Sequence, residues 1–589
     1  MDELTAAALR WGVEPGYYDV FGRWQTASPE TLRRLIAALS SGRGEPAHID
    51  TGCHPIQAFQ GDGRRYWALA VQLYALRSRR NWGHGDFSDL AQLIRIAASC
   101  GAAGIGLNPL HALFLDHPGQ ASPYSPNSRL YLNPLYIDVE AIEEFPGLAA
   151  TGLEAEVVAL RATDLIDYSR VAKAKVAGLH LAYACFRRSA TGKRRADFDA
   201  YRKEQGEGLL RFACFGVLRQ RYALKPWLEW PEPWRNPASR DLQEFRQENR
   251  EACEFYEFMQ WVADRQLQAC KETAQYLGMP VGLYTDIAVG IDRHGFGAWA
   301  QQDAVMTDVS IGAPPDDFNP AGQDWGLVPF NPHRLLANDF RVIRRLLRAS
   351  MRHARAIRLD HVLGLKRVFM IPCGLGAAGG TYVHFPFEAL LRVVAEESNS
   401  LRCTVIGEDL GTVPDGFRET LACWGLWTYR VMLFERQADG RFREPVSYPA
   451  EAVATFTTHD LPTFRGWITG YDLQAKRAIG FDPGETEEAR NRSRQALRAA
   501  LGEWAPDYPA DDIAAVASFL GATPCRLAVM SLEDVLGVLD QINIPGTVDQ
   551  HPNWQRKLPA LLEDLESNES LARVARAFAI AGRSFVPRG

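Results

Sequence analysis

The strongest constraint on what this chain can fold into is a recurrence of short apolar runs, each followed by polar loop residues and then by helical material. Eight such runs occupy residues 66–74, 104–110, 281–284, 356–359, 404–407, 429–434, 453–457 and 527–530. Apolar runs of this length suit strands buried on both faces, as in a parallel sheet covered by helices. Helical signals lie between them. Residues 86–100 follow the first run as a helical stretch, and Phe340, Ile343, Leu347 and Met351 recur at spacings that share one helix face. Eight strands alternating with helices predict an α/β fold, a (β/α)8 TIM barrel.

Two stretches exceed a bare barrel. Residues 140–275 and 470–525 are rich in Ala, Leu, Glu and Arg at helical spacing and read as mainly helical insertions mounted on barrel loops. Within the first, the aromatic-rich run from Trp227 to Trp234 reads as a core plug for the insertion rather than a sugar platform. Ahead of the barrel, Ser28 can cap a helix that Pro29 begins, and the breaker-rich run 40–46 marks a boundary. Residues 1–60 are therefore read as a small N-terminal helical element and 61–589 as the barrel with its insertions.

The net charge of −6 supplies no basic field for a phosphate backbone, so nucleic acid is not expected as a partner. The first residues are acidic where a secretory signal is basic, and no run of eighteen apolar residues occurs, so neither export nor a membrane span is expected. Ten cysteines are scattered without a C-x-x-C pair or a Cys/His cluster. That pattern argues against structural zinc and a disulfide scaffold, and fits reduced thiols in a cytoplasm.

A barrel carries its working residues at the C-terminal ends of its strands. After Ile357 comes Arg358-Leu359-Asp360-His361; after Val405-Ile406-Gly407 comes Glu408-Asp409; after Phe456-Thr457-Thr458 comes His459-Asp460. Three carboxylates thus follow three different strands and can converge on one mouth. Cleaving a glycosidic bond with retention needs one carboxylate to attack the anomeric carbon and one carboxylic acid to protonate the leaving oxygen. Asp360 suits the nucleophile, because Arg358 two residues earlier can hold its ionised form. Glu408 suits the acid, because an apolar strand and neighbouring carboxylates favour its protonated form. Asp460 would grip sugar hydroxyls more tightly as the ring distorts toward an oxocarbenium ion. These groups supply attack, protonation and charge stabilisation, so no metal or organic cofactor is required.

At these residues the sequence resembles the 4-α-glucanotransferases of glycoside hydrolase family 77. The similar segments, in order, are 122–126 (Ser-Pro-Tyr-Ser-Pro), 282–290, 312–316, 322–326, 358–361, 406–411 and 458–463, closing with 543–547 and Asn553-Trp554. The resemblance implies Asp360 as nucleophile, Glu408 as acid/base and Asp460 as stabiliser, which agrees with the reading from chemistry. It further implies that Tyr124 packs near the sugar at the cleavage point, that Arg358 and His459 contact that ring or the nucleophile, and that Asp286 sits in the cleft. It makes the segment from Gly312 to Gly326, with Phe318 and Trp325, an arm over the glucan groove. Asp317 stands where an aromatic can occur, so no stacking is assigned there. The implied partners are maltooligosaccharides and α-1,4-glucans; whether the protein is a monomer or a homodimer is not legible in the sequence. An α-amylase-like hydrolase and a catalytically silent glucan-binding protein are the competing readings.

Overall fold

A computed structural model describes residues 2–19, 22–41, 46, 54–315 and 322–588. Eight parallel strands form its centre: β1 (Tyr66–Val71), β2 (Gly104–Leu107), β3 (Gly282–Ile287), β4 (Ala356–Leu359), β5 (Thr404–Gly407), β6 (Thr428–Val431), β7 (Ala452–Thr455) and β8 (Leu527–Ser531). Each pairs with its neighbours in chain order, and β8 pairs back onto β1. Closure between β5 and β6 runs through a parallel bridge of Ile406 with Trp427, where Gly407 N–H donates to Trp427 O at 2.8 Å. All eight apolar runs are therefore barrel strands, and the (β/α)8 expectation holds.

Local chemistry sets the helices that fill the crossovers. The helix Phe87–Ser99 starts at a capping box, in which the Asp86 carboxylate accepts the Ser88 and Asp89 N–H groups while Asp89 accepts the Asp86 N–H. Its Leu90, Leu93, Ile94 and Ala97 are buried against the barrel wall. The helix Arg341–Met351 buries Ile343, Leu346, Leu347 and Met351 as its spacing predicts. Phe340 precedes it in a left-handed conformation (φ 53°) rather than on its helical face, and is buried all the same.

Between β2 and β3 lie the helices Glu154–Ala162, Tyr168–Ser189, Gly192–Arg221, Asp241–Glu248 and Arg250–Tyr276, the third bent at Gly206. Trp227 and Trp230 are buried there, each indole N–H on a backbone carbonyl, Arg293 O at 3.0 Å and Lys225 O at 2.9 Å. Between β7 and β8 lie the helices Tyr471–Ala478, Glu487–Trp504 and Ile513–Ala522.

One layer lies outside the sequence reading. Five short strands, Ile291–Asp292, Val309–Ala313, Gln323–Val328, Arg367–Pro372 and Thr381–His384, make an antiparallel sheet. Within the segment from Gly312 to Gly326, the described residues at its two ends belong to paired strands, with Gln323 opposite Ala313 and Asp324 opposite Gly312. Asp316, Asp317 and Phe318 lie outside the described residues. The N-terminal segment joins this sheet: Val13 bridges Val383, and Glu14 N–H donates to Tyr382 O at 2.9 Å. The helix Pro29–Ser40 begins where Ser28 Oγ accepts the Thr31 N–H at 3.0 Å, and two antiparallel three-residue strands, Gly16–Tyr18 and Trp24–Thr26, precede it. Among the described residues no helix is long and apolar enough to cross a membrane.

Candidate active site

Strand register assembles the first half of the site. Arg358 on β4 is paired with Asp286 on β3 and with Ile406 on β5, and Leu359 is paired with Ile287 and Gly407. Asp360 and Glu408 are the next residue on each of two adjacent strands, so they leave the barrel at one level. The Arg358 guanidinium, nearly buried, ties the group together. Its Nη1 donates to Asp286 at 2.9 and 3.0 Å and to Asp360 Oδ1 at 2.9 Å, while its Nη2 lies 3.9 Å from Glu408 Oε2. One cation thus touches three carboxylates.

Glu408 is fixed by backbone donors. Its Oε1 accepts the Leu410 N–H at 2.8 Å and its Oε2 accepts the His361 N–H at 2.9 Å. His361 can aim that N–H because its backbone is left-handed, φ 49°, a strained setting for a non-glycine residue. Burial pushes the Glu408 carboxyl up to about 7, aided by the charge of Asp360, against the downward pull of Arg358 and the two N–H groups. Burial likewise raises Asp286, opposed by Arg358.

The second half is built by side chains from distant segments. Asp460 keeps 44 % of its side-chain surface open and His459 lies beside it, Nε2 to Oδ2 at 3.2 Å. Asn543 Nδ2 donates to Asp460 Oδ1 at 2.6 Å, and Gln541 Nε2 donates to the Asp460 carbonyl at 2.7 Å. Although burial favours its neutral form, the charges of His459 and Arg358 and the bonds from His459 and Asn543 hold the Asp460 carboxyl below its usual value. For His459 burial opposes charge, but Asp460 outweighs it and raises the imidazole. Tyr124 links the halves. Its hydroxyl donates to Asp286 Oδ2 at 2.7 Å and lies 3.2 Å from His459 Nδ1, with the two rings stacked at 4.5 Å.

Every site residue named from the sequence therefore falls in one cluster or on its border. Trp325 reaches the border through His361, ring centroids 5.5 Å apart and nearly perpendicular, with its indole N–H on Gln323 Oε1 at 3.1 Å. Sequence reasoning gave no role to Gln541, Asn543, His361 or Trp554. The only signal for Asn543 and Trp554 was their place in the closing similar segments.

The sequence model of glycoside hydrolase family 77, described as 4-alpha-glucanotransferase, matches residues 71–563. The 4-alpha-glucanotransferase of Mycobacterium tuberculosis is 37% identical over 624 aligned positions, which span 96% of this chain and 83% of that protein. That of Haemophilus influenzae is 36% identical over 554, spanning 88% of this chain and 79% of its own. Among solved structures, the amylomaltase from Corynebacterium glutamicum superposes with a TM-score of 0.83 at 26% identity, covering 98% of this chain and 99% of that one. The amylomaltase from Streptococcus agalactiae shares the fold at a TM-score of 0.73 and 19% identity, over 89% of this chain and all of that one. With the family model covering most of its length and two relatives above one-third identity, the chain belongs to the 4-alpha-glucanotransferases of glycoside hydrolase family 77.

Proposed function

We propose that this 4-alpha-glucanotransferase of α-1,4-glucans works by a retaining double displacement on Asp360 and Glu408. Asp360 attacks the anomeric carbon of the bond to be cleaved while Glu408, protonated, gives its proton to the departing 4-oxygen. A covalent glucosyl-Asp360 forms. The 4-hydroxyl of an acceptor glucan or glucose then attacks, with Glu408 taking the proton back, and two inversions leave the configuration unchanged. Asp460 strengthens its hold on ring hydroxyls as positive charge develops, and Arg358, Asp286, His459 and Tyr124 bind the same sugar. Trp325, beside His361, offers an aromatic face to the next sugar along the groove.

The observation that carries this reading is the shared Arg358 guanidinium. It bonds Asp360 directly and stands farther from Glu408, so the two carboxyls meet different electrostatic surroundings within one cluster. Separating an ionised from a protonated carboxyl is what this chemistry needs.

Maltotriose distinguishes the readings. Free glucose together with chains longer than maltotriose is the expected product set, and products no longer than the substrate would instead indicate an α-amylase-like hydrolase. Active wild type beside an inert Asp360→Ala variant excludes a silent glucan-binding protein.

Residues 1–60 are taken as a stabilising cap on the barrel unit 61–589, supported by the bridge of Val13 to Val383 and by Thr31 Oγ1 donating to Gly379 O at 2.8 Å. Residues 140–275 and 470–525 are taken as the inserted subdomains that shape the cleft. A cytoplasmic setting accords with nine described cysteines, all free.

A further inference from the structure

Trp554 lies in the C-terminal segment, beyond the last barrel strand, with φ 61°. A bulky residue in the left-handed region stays there only when its surroundings hold it, and such strain gathers at working sites. The restraints are visible. Its N–H donates to Ile542 O at 3.3 Å, and its carbonyl accepts the Tyr168 hydroxyl at 2.6 Å. Tyr168 opens the helix Tyr168–Ser189 of the long segment between β2 and β3. So held, the indole turns inward and is 5% exposed, its ring centroid 5.5 Å from that of Tyr124 and 5.4 Å from that of His459. With Tyr124 and His459 stacked at 4.5 Å, three rings close a triangle beside Asp460.

His459 needs such a third ring. The outer torsion of a histidine side chain is broad and poorly restrained by itself. The two contacts at its ring nitrogens, to Tyr124 Oη and Asp460 Oδ2, are both 3.2 Å, the long end of hydrogen-bond range. A small rotation of the imidazole would break both. We propose that Trp554 is a positioning residue for the transfer reaction, its indole wedging Tyr124 against His459 so that the imidazole stays aligned with Asp460. The proposal rests on the reading that His459 and Asp460 act on the sugar at the cleavage point. It also gives the helical segment a part in the chemistry, because Tyr168 fixes the backbone that aims the wedge.

A double-mutant cycle tests this. Trp554→Leu should lower kcat about tenfold and leave KM within about twofold, while Trp554→Phe, which keeps a flat ring, should retain about half of kcat. In a His459→Ala background, Trp554→Leu should add less than about a twofold loss, because the group it positions is gone. An unchanged kcat in Trp554→Leu, or the same fold loss in both backgrounds, overturns the proposal. If Trp554→Leu does not fold, Tyr168→Phe loosens the Trp554 carbonyl alone. It should cost about threefold in kcat in the wild type and nothing in His459→Ala; equal losses in both, or none in the wild type, overturn it. The underlying reading fails separately: a His459→Ala enzyme with normal turnover removes the role of His459, whereas a slow His459→Ala beside a normal Trp554→Leu removes only the wedge.

Discussion

Asp360 and Glu408 stand one residue past the ends of neighbouring strands whose register is set by backbone hydrogen bonds, whereas Asp460 stands several residues beyond β7 and is held by side chains from far along the chain. The first pair inherits its precision from the barrel. Glu408 takes both its hydrogen bonds from backbone N–H groups, and Asp360 N–H itself donates to Ile287 O at 3.1 Å. The third carboxylate depends on Asn543, Gln541, His459 and the Tyr124 stack, none of which a strand register delivers. A site can thus combine a rigid half and a half assembled by packing. Substitutions in the rigid half should affect single chemical steps, and substitutions in the packed half should propagate through their neighbours.

Kinetics on purified variants tests that contrast. The largest effect is expected in the rigid half: Asp360→Ala should lower kcat by about 10⁴-fold or more, with a melting temperature near that of the wild type. Retention of even a tenth of the activity would remove Asp360 from the chemistry. Glu408→Gln comes next, with a loss of about 10² to 10⁴ in turnover of natural glucans and little change in substrate binding. The same carboxyl predicts a pH dependence. As the acid, Glu408 must carry its proton, so wild-type activity should fall as pH rises through about 7. In Glu408→Gln the residual rate should lose that alkaline limb, and a wild-type profile flat from pH 6 to 9 would contradict the assignment.

In the packed half the expected effects are smaller but spread further. Asn543→Ala removes one of the bonds that hold the Asp460 carboxyl below its usual value, so that carboxyl should rise. The acid limb of the rate profile should then shift to higher pH, with kcat down about tenfold, in line with one hydrogen bond to a charged group. A kcat within about twofold of the wild type would show that Asp460 does not depend on Asn543. The smallest effect belongs to neither half. Ser28→Ala, at the cap of the helix Pro29–Ser40, should cost about 1 kcal/mol of stability in a denaturation experiment and leave kcat unchanged.

The eight barrel strands were legible because a strand buried on both faces writes itself as a short apolar run, and their ends were read to within a few residues. The apolar run 429–434 outlasts its strand, which stops at Val431, because Met432–Phe434 is a tight helical turn that is equally apolar. The antiparallel side sheet was not legible. Its edge strand Ile291–Asp292 has only two residues and the polar pattern of Gln323–Val328 resembles a loop, while Val368–Ile371 is an apolar run like those of the barrel but has no partner of that kind beside it in the sequence.

What the amino-acid order determined alone is the alternation of strand and helix, and the identity of the polar residues that terminate three apolar runs. Both are local, carried by periodicity and by the step from apolar to charged within a few positions. Tertiary structure decided which side chains support Asp460, why His361 turns its N–H toward Glu408, and how Tyr168 reaches Trp554. Apart from His459 beside Asp460, these are contacts between residues tens to hundreds of positions apart. No spacing along the chain encodes them; they exist because barrel closure brings the strand ends into one mouth and packing lays the C-terminal segment across it.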